Sequence, residues 1–485
     1  MKPRHITYII WLVIALLGAV SAITPKGGWS IGPWTLRWPT LATILEIDNA
    51  ADSITSCLDT TWIAEMDDNE EISEIEVDTL VQGIQPLQPK YYLFDSIAQD
   101  SISISPIDDA PQSASHPISD SDTRQYLASF YHALDSTSIK SIRVVHYGDS
   151  QIEEDRITNI LREQLQLQYG GGGVGLLPLH QTIPTRSSRQ WISINGVKQS
   201  TKEGPKRYLI YGPKSMRQDS DTYGVMGQVA VLDNTLVSGS EDVAMHVETI
   251  GKKQITHTSF CQIRLLTDNI KSHIVVNDSI IDCLSNIVNL PNYTNRCEIH
   301  FQGKGAVYGI SLETPTGVLV DNIPMRGCSG TIFTRINSAQ LSDYYSQTHT
   351  RLIILQYGGN MIPQSQNKAT IEGYVKNLRK QVRYLRSCAP YASILFIGPS
   401  DMSTRMDGKM ITYPMVPYLD EALQKMAKEE QIAYWSMYHA MGGKDSMVKW
   451  VETGLAGSDY VHFTRSGATK VGRMLYEWID KGKAI

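Results

Sequence analysis

Ser141-Ile142-Arg143-Val144-Val145-His146-Tyr147-Gly148-Asp149-Ser150-Gln151 is a largely apolar run that ends in Gly-Asp-Ser. A short run of this kind, rich in β-branched residues, suits a strand buried on both faces, as in a parallel sheet. Beyond it, Ile157, Ile160, Leu161 and Leu165 recur at helical spacing, which predicts that a helix follows at once. Glu153, Glu154 and Asp155 would occupy its first turn, where negative charge suits the helix dipole. Ser150 is therefore expected at a strand-to-helix corner. In a parallel α/β sheet such corners lie at the carboxyl ends of the strands, where ligands bind and backbone N–H groups can face a developing negative charge. Gly-Asp-Ser alone decides nothing, because it is made of common turn residues.

Outward from this stretch the same alternation continues. A helix through Tyr126, Phe130 and Leu134 precedes it. Gly170-Gly171-Gly172-Gly173 ends the following helix and has no Gly-Lys-Ser/Thr after it, so it reads as a tight turn and not as a phosphate loop. Further on, Leu352–Tyr357 and Ser393–Ile397 are short apolar runs suited to central strands. Between them Ile371, Tyr374, Val375, Leu378, Val382 and Leu385 mark an amphipathic helix. Another helix is expected over 416–430, a strand over 432–436 and a last helix over 466–480. Between about 184 and 310 no helical pattern occurs; short β-prone runs such as Gln228–Leu232, Val243–Val247 and Cys297–Phe301 are separated by Gly, Asn, Asp and Pro. Strands so spaced predict a β-sandwich of the jelly-roll kind. The expected fold is a three-layer α/β/α sandwich with a parallel sheet, in two parts (123–183 and 311–485), interrupted by an inserted β-sandwich at 184–310. Such an insert either binds carbohydrate or shapes the cleft.

The 485 residues allow two or three domains. Lys2 and Arg4 are followed by an uncharged apolar run over 6–22, and residues 1–24 read as a signal peptide or an N-terminal membrane anchor. Val20-Ser21-Ala22 offers a cleavage site; Trp29, Trp34, Trp38 and Arg37 suit a membrane interface and favour the anchor. Either way the remainder is expected outside the cytoplasm, periplasmic or secreted. Residues 25–122 combine this Trp-containing stretch with an acidic low-complexity linker. From 46 to 122 there are 18 acids and one basic residue, Lys90, so the segment carries −17 within a chain total of −6 and the rest carries +11. Such a composition predicts a largely disordered spacer. Six cysteines, Cys57, Cys261, Cys283, Cys297, Cys328 and Cys388, are too few for a disulfide scaffold and show no metal-ligand spacing. Cys283 and Cys297 either pair across a hairpin or serve as small buried hydrophobes.

Three later features bear on Ser150. Gly358-Gly359-Asn360 places a side-chain amide at the end of a neighbouring strand. Val318–Ile323 leads to Gly327, where the absence of a side chain would let a backbone N–H approach a ligand. Asp459-Tyr460-Val461-His462 precedes the last helix. In this order the four blocks resemble the SGNH (GDSL-type) hydrolase superfamily, over about 123–175 and 317–485. The stretches HYGDSQIEEDRIT, YGGGGVGLLPL, GVLVDNIPMRG, GPSDM, YWSMYHAMGG and DYVHFTRSGATKVG look like its bacterial peptidoglycan O-acetylesterase branch. Two positions depart from the pattern: Gln151 stands where Leu is usual, and Met361 follows Asn360 where many relatives have Asp.

The resemblance implies Ser150 as nucleophile, His462 as general base and Asp459 as the acid that orients the imidazole. It implies an oxyanion hole from the Ser150 and Gly327 N–H groups with the Asn360 amide. Asp149 is assigned to the turn, and His146, His180 and His439 to structure. No cofactor, metal or nucleic acid is implied. The expected partners are an O-acetylated glycan, peptidoglycan first, the membrane through the N-terminal segment, and a membrane-bound acyltransferase if acyl groups are passed on. The expected activity is removal of O-acetyl groups. The alternatives are a glycan O-acetyltransferase using the same triad, and a glycan-binding envelope protein without turnover.

Overall fold

The computed structural model describes residues 29–31, 34–36 and 121–483, apart from 200–203, 219–221, 233–241, 252–257 and 366. The apolar run at 6–22, almost all of the acidic segment and Cys57 lie outside the described residues. Trp29–Ile31 and Trp34–Leu36 form a two-stranded antiparallel hairpin, in a unit separate from the rest. Among the described residues no helix is long and apolar enough to cross a membrane.

The larger unit is built on five parallel strands, β1 (Ser141–Gly148), β2 (Gly317–Pro324), β3 (Thr350–Gln356), β4 (Ser393–Ile397) and β5 (Ala433–Trp435), in the order β2-β1-β3-β4-β5. Successive side chains of a strand point to opposite faces, and both faces here are apolar. Val145, Tyr147, Ile353, Leu355, Ile394 and Phe396 pack on one side against helices α2 (Ser338–Gln347), α3 (Lys368–Cys388) and α4 (Val416–Glu429). Ile142, Val144, Leu352, Ile354, Leu395 and Ile397 pack on the other side against α1 (Thr158–Tyr169) and α5 (Arg465–Gly482). This is the expected α/β/α sandwich. The predicted stripe of α3 faces the first core, and the Asn367 side chain caps its N-terminus by accepting from the Thr370 N–H.

The glycine run does more than turn the chain. A Cβ at Gly171, whose φ is +112°, would lie 2.4 Å from the Val318 carbonyl oxygen, and one at Gly173 would lie 2.1 Å from that of Leu312. Only glycine lets the segment after α1 cross β2 this closely. The chain then enters two antiparallel sheets. One orders Ile287–Thr294, Phe260–Asp268, Gly305–Glu313, Gln228–Leu232 and Lys206–Leu209, with Gly175–Leu177 also paired to Gly305–Glu313. The other orders Ser279–Asp282, Lys271–Val276, Arg296–Gln302, Val243–Thr249, Ser188–Ile194 and Val197–Lys198. Ile263, Leu265, Met245, Ile299 and Phe301 fill the core between them. Cys283 and Cys297 are not bonded to each other; all five described cysteines are free, and Cys297 is a buried member of this core.

A buried ionic cluster joins the insert to the parallel sheet. Arg143 of β1 contacts Asp321 of β2 and Glu313 at the end of the insert, each at 2.5 Å and all with fully buried side chains. Arg264 adds a second guanidinium to Glu313 at 3.1 Å, and the Tyr344 hydroxyl donates to Asp321 at 2.6 Å. Burial works against the Arg143 charge, but Asp321 and Glu313 more than offset it and hold the guanidinium protonated.

Candidate active site

Ser150 leaves β1 as expected, but the helix does not follow at once. Ser150–Asp155 is a 3-10 turn broken at Glu153 and Glu154, and α1 begins only at Thr158. Glu153, Glu154 and Asp155 are therefore not in the first turn of α1, a correction with a clear cause. Glu154 and Asp155 take positive φ, which no helix permits, and the acids are held by other partners. Asp155 pairs with Arg162 at 2.5 Å, and Glu153 pairs with Arg326 at 2.8 Å.

At the turn's start the Asp149 side chain accepts from the Gln151 N–H at 2.9 Å. Ser150 Oγ lies 2.9 Å from His462 Nε2, and His462 Nδ1 lies 2.8 Å from Asp459 Oδ2. The other Asp459 oxygen accepts from the backbone N–H groups of Val461 and His462, both at 3.0 Å, which closes the loop into a rigid turn. Burial alone would raise the Asp459 pKa, but the His462 imidazole and these two N–H groups outweigh it and leave the carboxyl below its usual range. The His462 and Asp459 side chains are 39% and 38% exposed, so the relay opens to solvent.

Gly327 occupies the third position of a turn closed by the Cys328 N–H donating to the Met325 carbonyl at 3.0 Å. Its φ of +76° is the value that a type II turn demands there and that glycine adopts freely. A Cβ at this position would meet nothing within 4 Å, so the space beside it is open. Among the described residues neither the Ser150 nor the Gly327 backbone N–H has a hydrogen-bond acceptor. Asn360 sits in the turn after β3, but its amide is engaged: Nδ2 donates to Asp149 Oδ2 at 3.1 Å and to the Cys328 carbonyl at 2.9 Å. To meet an oxyanion it must release one of these. Asp149 is buried, and burial pushes its carboxyl up to about 6.

The other histidines sit apart from this relay. His146 is fully buried between Gln356 Oε1 (3.1 Å) and Thr158 Oγ1 (2.9 Å), and burial lowers its pKa to about 3, so the ring is neutral. Burial likewise lowers the pKa of His180. His439 belongs to a second Ser-His-Asp grouping with Ser436 and Asp420, but one nitrogen, Nδ1, faces both partners, at 2.8 and 3.0 Å. Ser436 there caps the helix Met437–Met441 and donates to Asp420, which is a structural arrangement. Among the described residues no group of three or more His, Cys, Asp or Glu side chains could hold a metal ion.

Sequence reasoning passed over two contacts. Gln151 donates from Nε2 to the Val461 carbonyl at 2.7 Å, beside His462, and Glu153 meets Arg326, beside Gly327. The departure of Gln151 from the usual Leu was a visible signal for the first. The second had none, since periodicity assigned Glu153 to a helix that starts later.

The parallel sheet in the order β2-β1-β3-β4-β5, with helices on both faces and added antiparallel sheets, is the α/β fold of an SGNH/GDSL-type hydrolase. Among solved structures, the chain is similar to a peptidoglycan O-acetylesterase, with a TM-score of 0.58 and 20% identity over 75% of this chain and 97% of that one. Weaker likenesses include an acetyl xylan esterase (TM-score 0.26, 11% identity, 33% of this chain and 80% of that one). A GDSL-like lipase from Parabacteroides merdae gives a TM-score of 0.25 and 16% identity over 34% of this chain and 73% of that one. No protein-family model and no curated protein matches the chain.

Proposed function

We propose that this protein is an exported serine esterase that removes O-acetyl groups from a cell-envelope glycan, peptidoglycan first. The observation that carries the reading is the Ser150–His462–Asp459 relay at hydrogen-bond distances, together with Ser150 and Gly327 backbone N–H groups that have no acceptor among the described residues. Ser150 Oγ attacks the acetyl carbon while His462 Nε2 takes its proton, because a free hydroxyl is too weak a nucleophile. The Ser150 and Gly327 N–H groups meet the oxyanion as it forms. Asp459 keeps the Nδ1 proton in place and stabilises the imidazolium. His462 then gives its proton to the departing sugar oxygen, and a water molecule, activated by the same imidazole, releases acetate from Ser150. The glycan is suggested by the O-acetylesterase whose fold this chain shares, and export by the apolar run at 6–22.

The test is acetate release from O-acetylated peptidoglycan by the purified protein beside its Ser150→Ala variant. Release that vanishes in the variant supports the proposal. No release, with an acetyl group still transferred to Ser150 from an activated ester, would favour the O-acetyltransferase alternative. Glycan binding without either reaction would refute an enzymatic role.

A further inference from the structure

Alternate residues of the nucleophile turn each hold a different loop of the site. Asp149 meets Asn360 at 3.1 Å, Gln151 holds the Val461 carbonyl at 2.7 Å, and Glu153 holds Arg326. The broken 3-10 geometry makes this possible, because a regular helix starting at Ser150 would point these side chains along one spiral instead of toward three separate loops. The last of these ties is an ion pair. Glu153 Oε2 accepts from both Nε (3.1 Å) and Nη2 (2.8 Å) of Arg326. The Glu153 side chain is 8% exposed and that of Arg326 66%, so a surface guanidinium folds back onto a buried carboxylate. Arg326 is the residue before Gly327, and the peptide between them carries an N–H that has no acceptor among the described residues.

Resting on the esterase reading above, we infer that Glu153 and Arg326 are positioning residues for the oxyanion hole. Neither touches the reacting atoms. Their ion pair fixes the orientation of the 326–327 peptide relative to Ser150, so that the two free N–H groups converge on one point. A type II turn needs such a tie because its central peptide can flip, which would turn the Gly327 N–H away and put a carbonyl oxygen toward the oxyanion. The Cys328 carbonyl, held by Asn360, anchors the far side of the same turn.

The experiment is steady-state hydrolysis of p-nitrophenyl acetate by the wild type, Arg326→Ala, Arg326→Lys and Glu153→Gln. Arg326 is mostly exposed, so its truncation leaves no cavity; because Glu153 loses its cation, circular dichroism first confirms that each variant is folded. In Arg326→Ala, kcat should fall about 10- to 100-fold, short of the roughly 100- to 1,000-fold cost of removing a hole donor outright. KM and the pH profile of kcat/KM should not move, because the His462 relay is untouched. Arg326→Lys should recover part of the loss by restoring a cation opposite Glu153, and Glu153→Gln should reproduce the loss. A folded Arg326→Ala with kcat within twofold of the wild type overturns the inference and leaves the esterase reading standing. A shifted pH profile also overturns it, by placing the effect on His462. A wild type that hydrolyses no ester sinks both.

Discussion

Replacing Asp459 by Asn separates the charge of the relay from its geometry. The Asn side-chain oxygen can still accept from the Val461 and His462 N–H groups, as Asp459 Oδ1 does at 3.0 Å, so the turn should keep its shape and the melting temperature should hold. The amide nitrogen would then face His462 Nδ1, where the carboxylate oxygen now lies at 2.8 Å. A donor there forces the imidazole proton to Nε2, the nitrogen that must accept from Ser150. The charge is lost as well: an imidazolium and a carboxylate about 4 Å apart at an effective dielectric of about 20 attract by about 4 kcal/mol. That corresponds to roughly 1,000-fold in rate. A fully buried acid in such a triad is worth about 10,000-fold, and the exposure of this pair, 39% and 38%, argues for the lower figure. The assay is the burst of p-nitrophenol from p-nitrophenyl acetate, which reads acetylation of Ser150 directly. Because the Asp459 pKa lies below its usual 3.8, the carboxylate is charged throughout mild acid, and its contribution is lost only as pH falls through that lowered value. From about pH 5 upward, titration of Asp459 itself should therefore add nothing to the pH dependence of the wild type. A folded variant that acetylates within tenfold of the wild type would refute the assigned role of Asp459.

Ser150→Ala and His462→Ala should each abolish turnover to a similar residue of activity, and the double variant should be only marginally slower, since the two act as a unit; additive losses would argue against a shared relay. The Asp149 carboxyl has a pKa of about 6 against a reference of 3.8, so the cost of charging it in the folded state is absent at low pH and grows as pH rises through 6. Asp149→Asn removes that cost, and its melting temperature relative to the wild type should be higher at pH 8 than at pH 4.5; the reverse trend in thermal melts would show a carboxylate stabilised by its site. Arg143→Met leaves Asp321 and Glu313 buried with less compensation, which costs about 3–5 kcal/mol. For about 340 described residues at 2.1 cal/mol/K each, that lowers the melting temperature by roughly 4–7 °C. A drop of less than 1 °C in circular dichroism would mean that water reaches the cluster.

The layered fold was legible because the parallel strands carry apolar residues at adjacent positions, and burial on both faces asks for that. Val144 and Val145 are neighbours in sequence and belong to opposite cores, and the same holds for Ile353 and Ile354. The stripe from Ile371 to Leu385 likewise marks one face of α3. Pairing partners were less legible. Nothing in the composition of Gly305–Glu313 says that it pairs with Gly175–Leu177, or that Glu313 will meet Arg143, because strand pairing depends on backbone groups every residue carries. Cys283 and Cys297 illustrate the same limit: a spacing that suits a hairpin bridge says nothing of where the two sulfurs point.

The site divides in the same way. Asp459 and His462 are three residues apart, close enough for one turn to join them, and that turn is held by backbone N–H groups which the spacing itself supplies. Their meeting with Ser150 needed the ordered set of motifs, since it spans 312 positions. The acids after Ser150 were the point at which periodicity misled. Helical spacing is set by Ile157, Ile160, Leu161 and Leu165 and holds for them, but extending it backward assumes that charges beside a helix serve its dipole. Glu153 and Asp155 instead each answer a particular guanidinium, from Arg326 and Arg162, and a close ion pair outweighs the few tenths of a kcal/mol that a dipole offers at an exposed helix end. An acidic run directly after a nucleophile can therefore be a set of separate ties, and the positive φ at Glu154 and Asp155 is the conformational cost of aiming them.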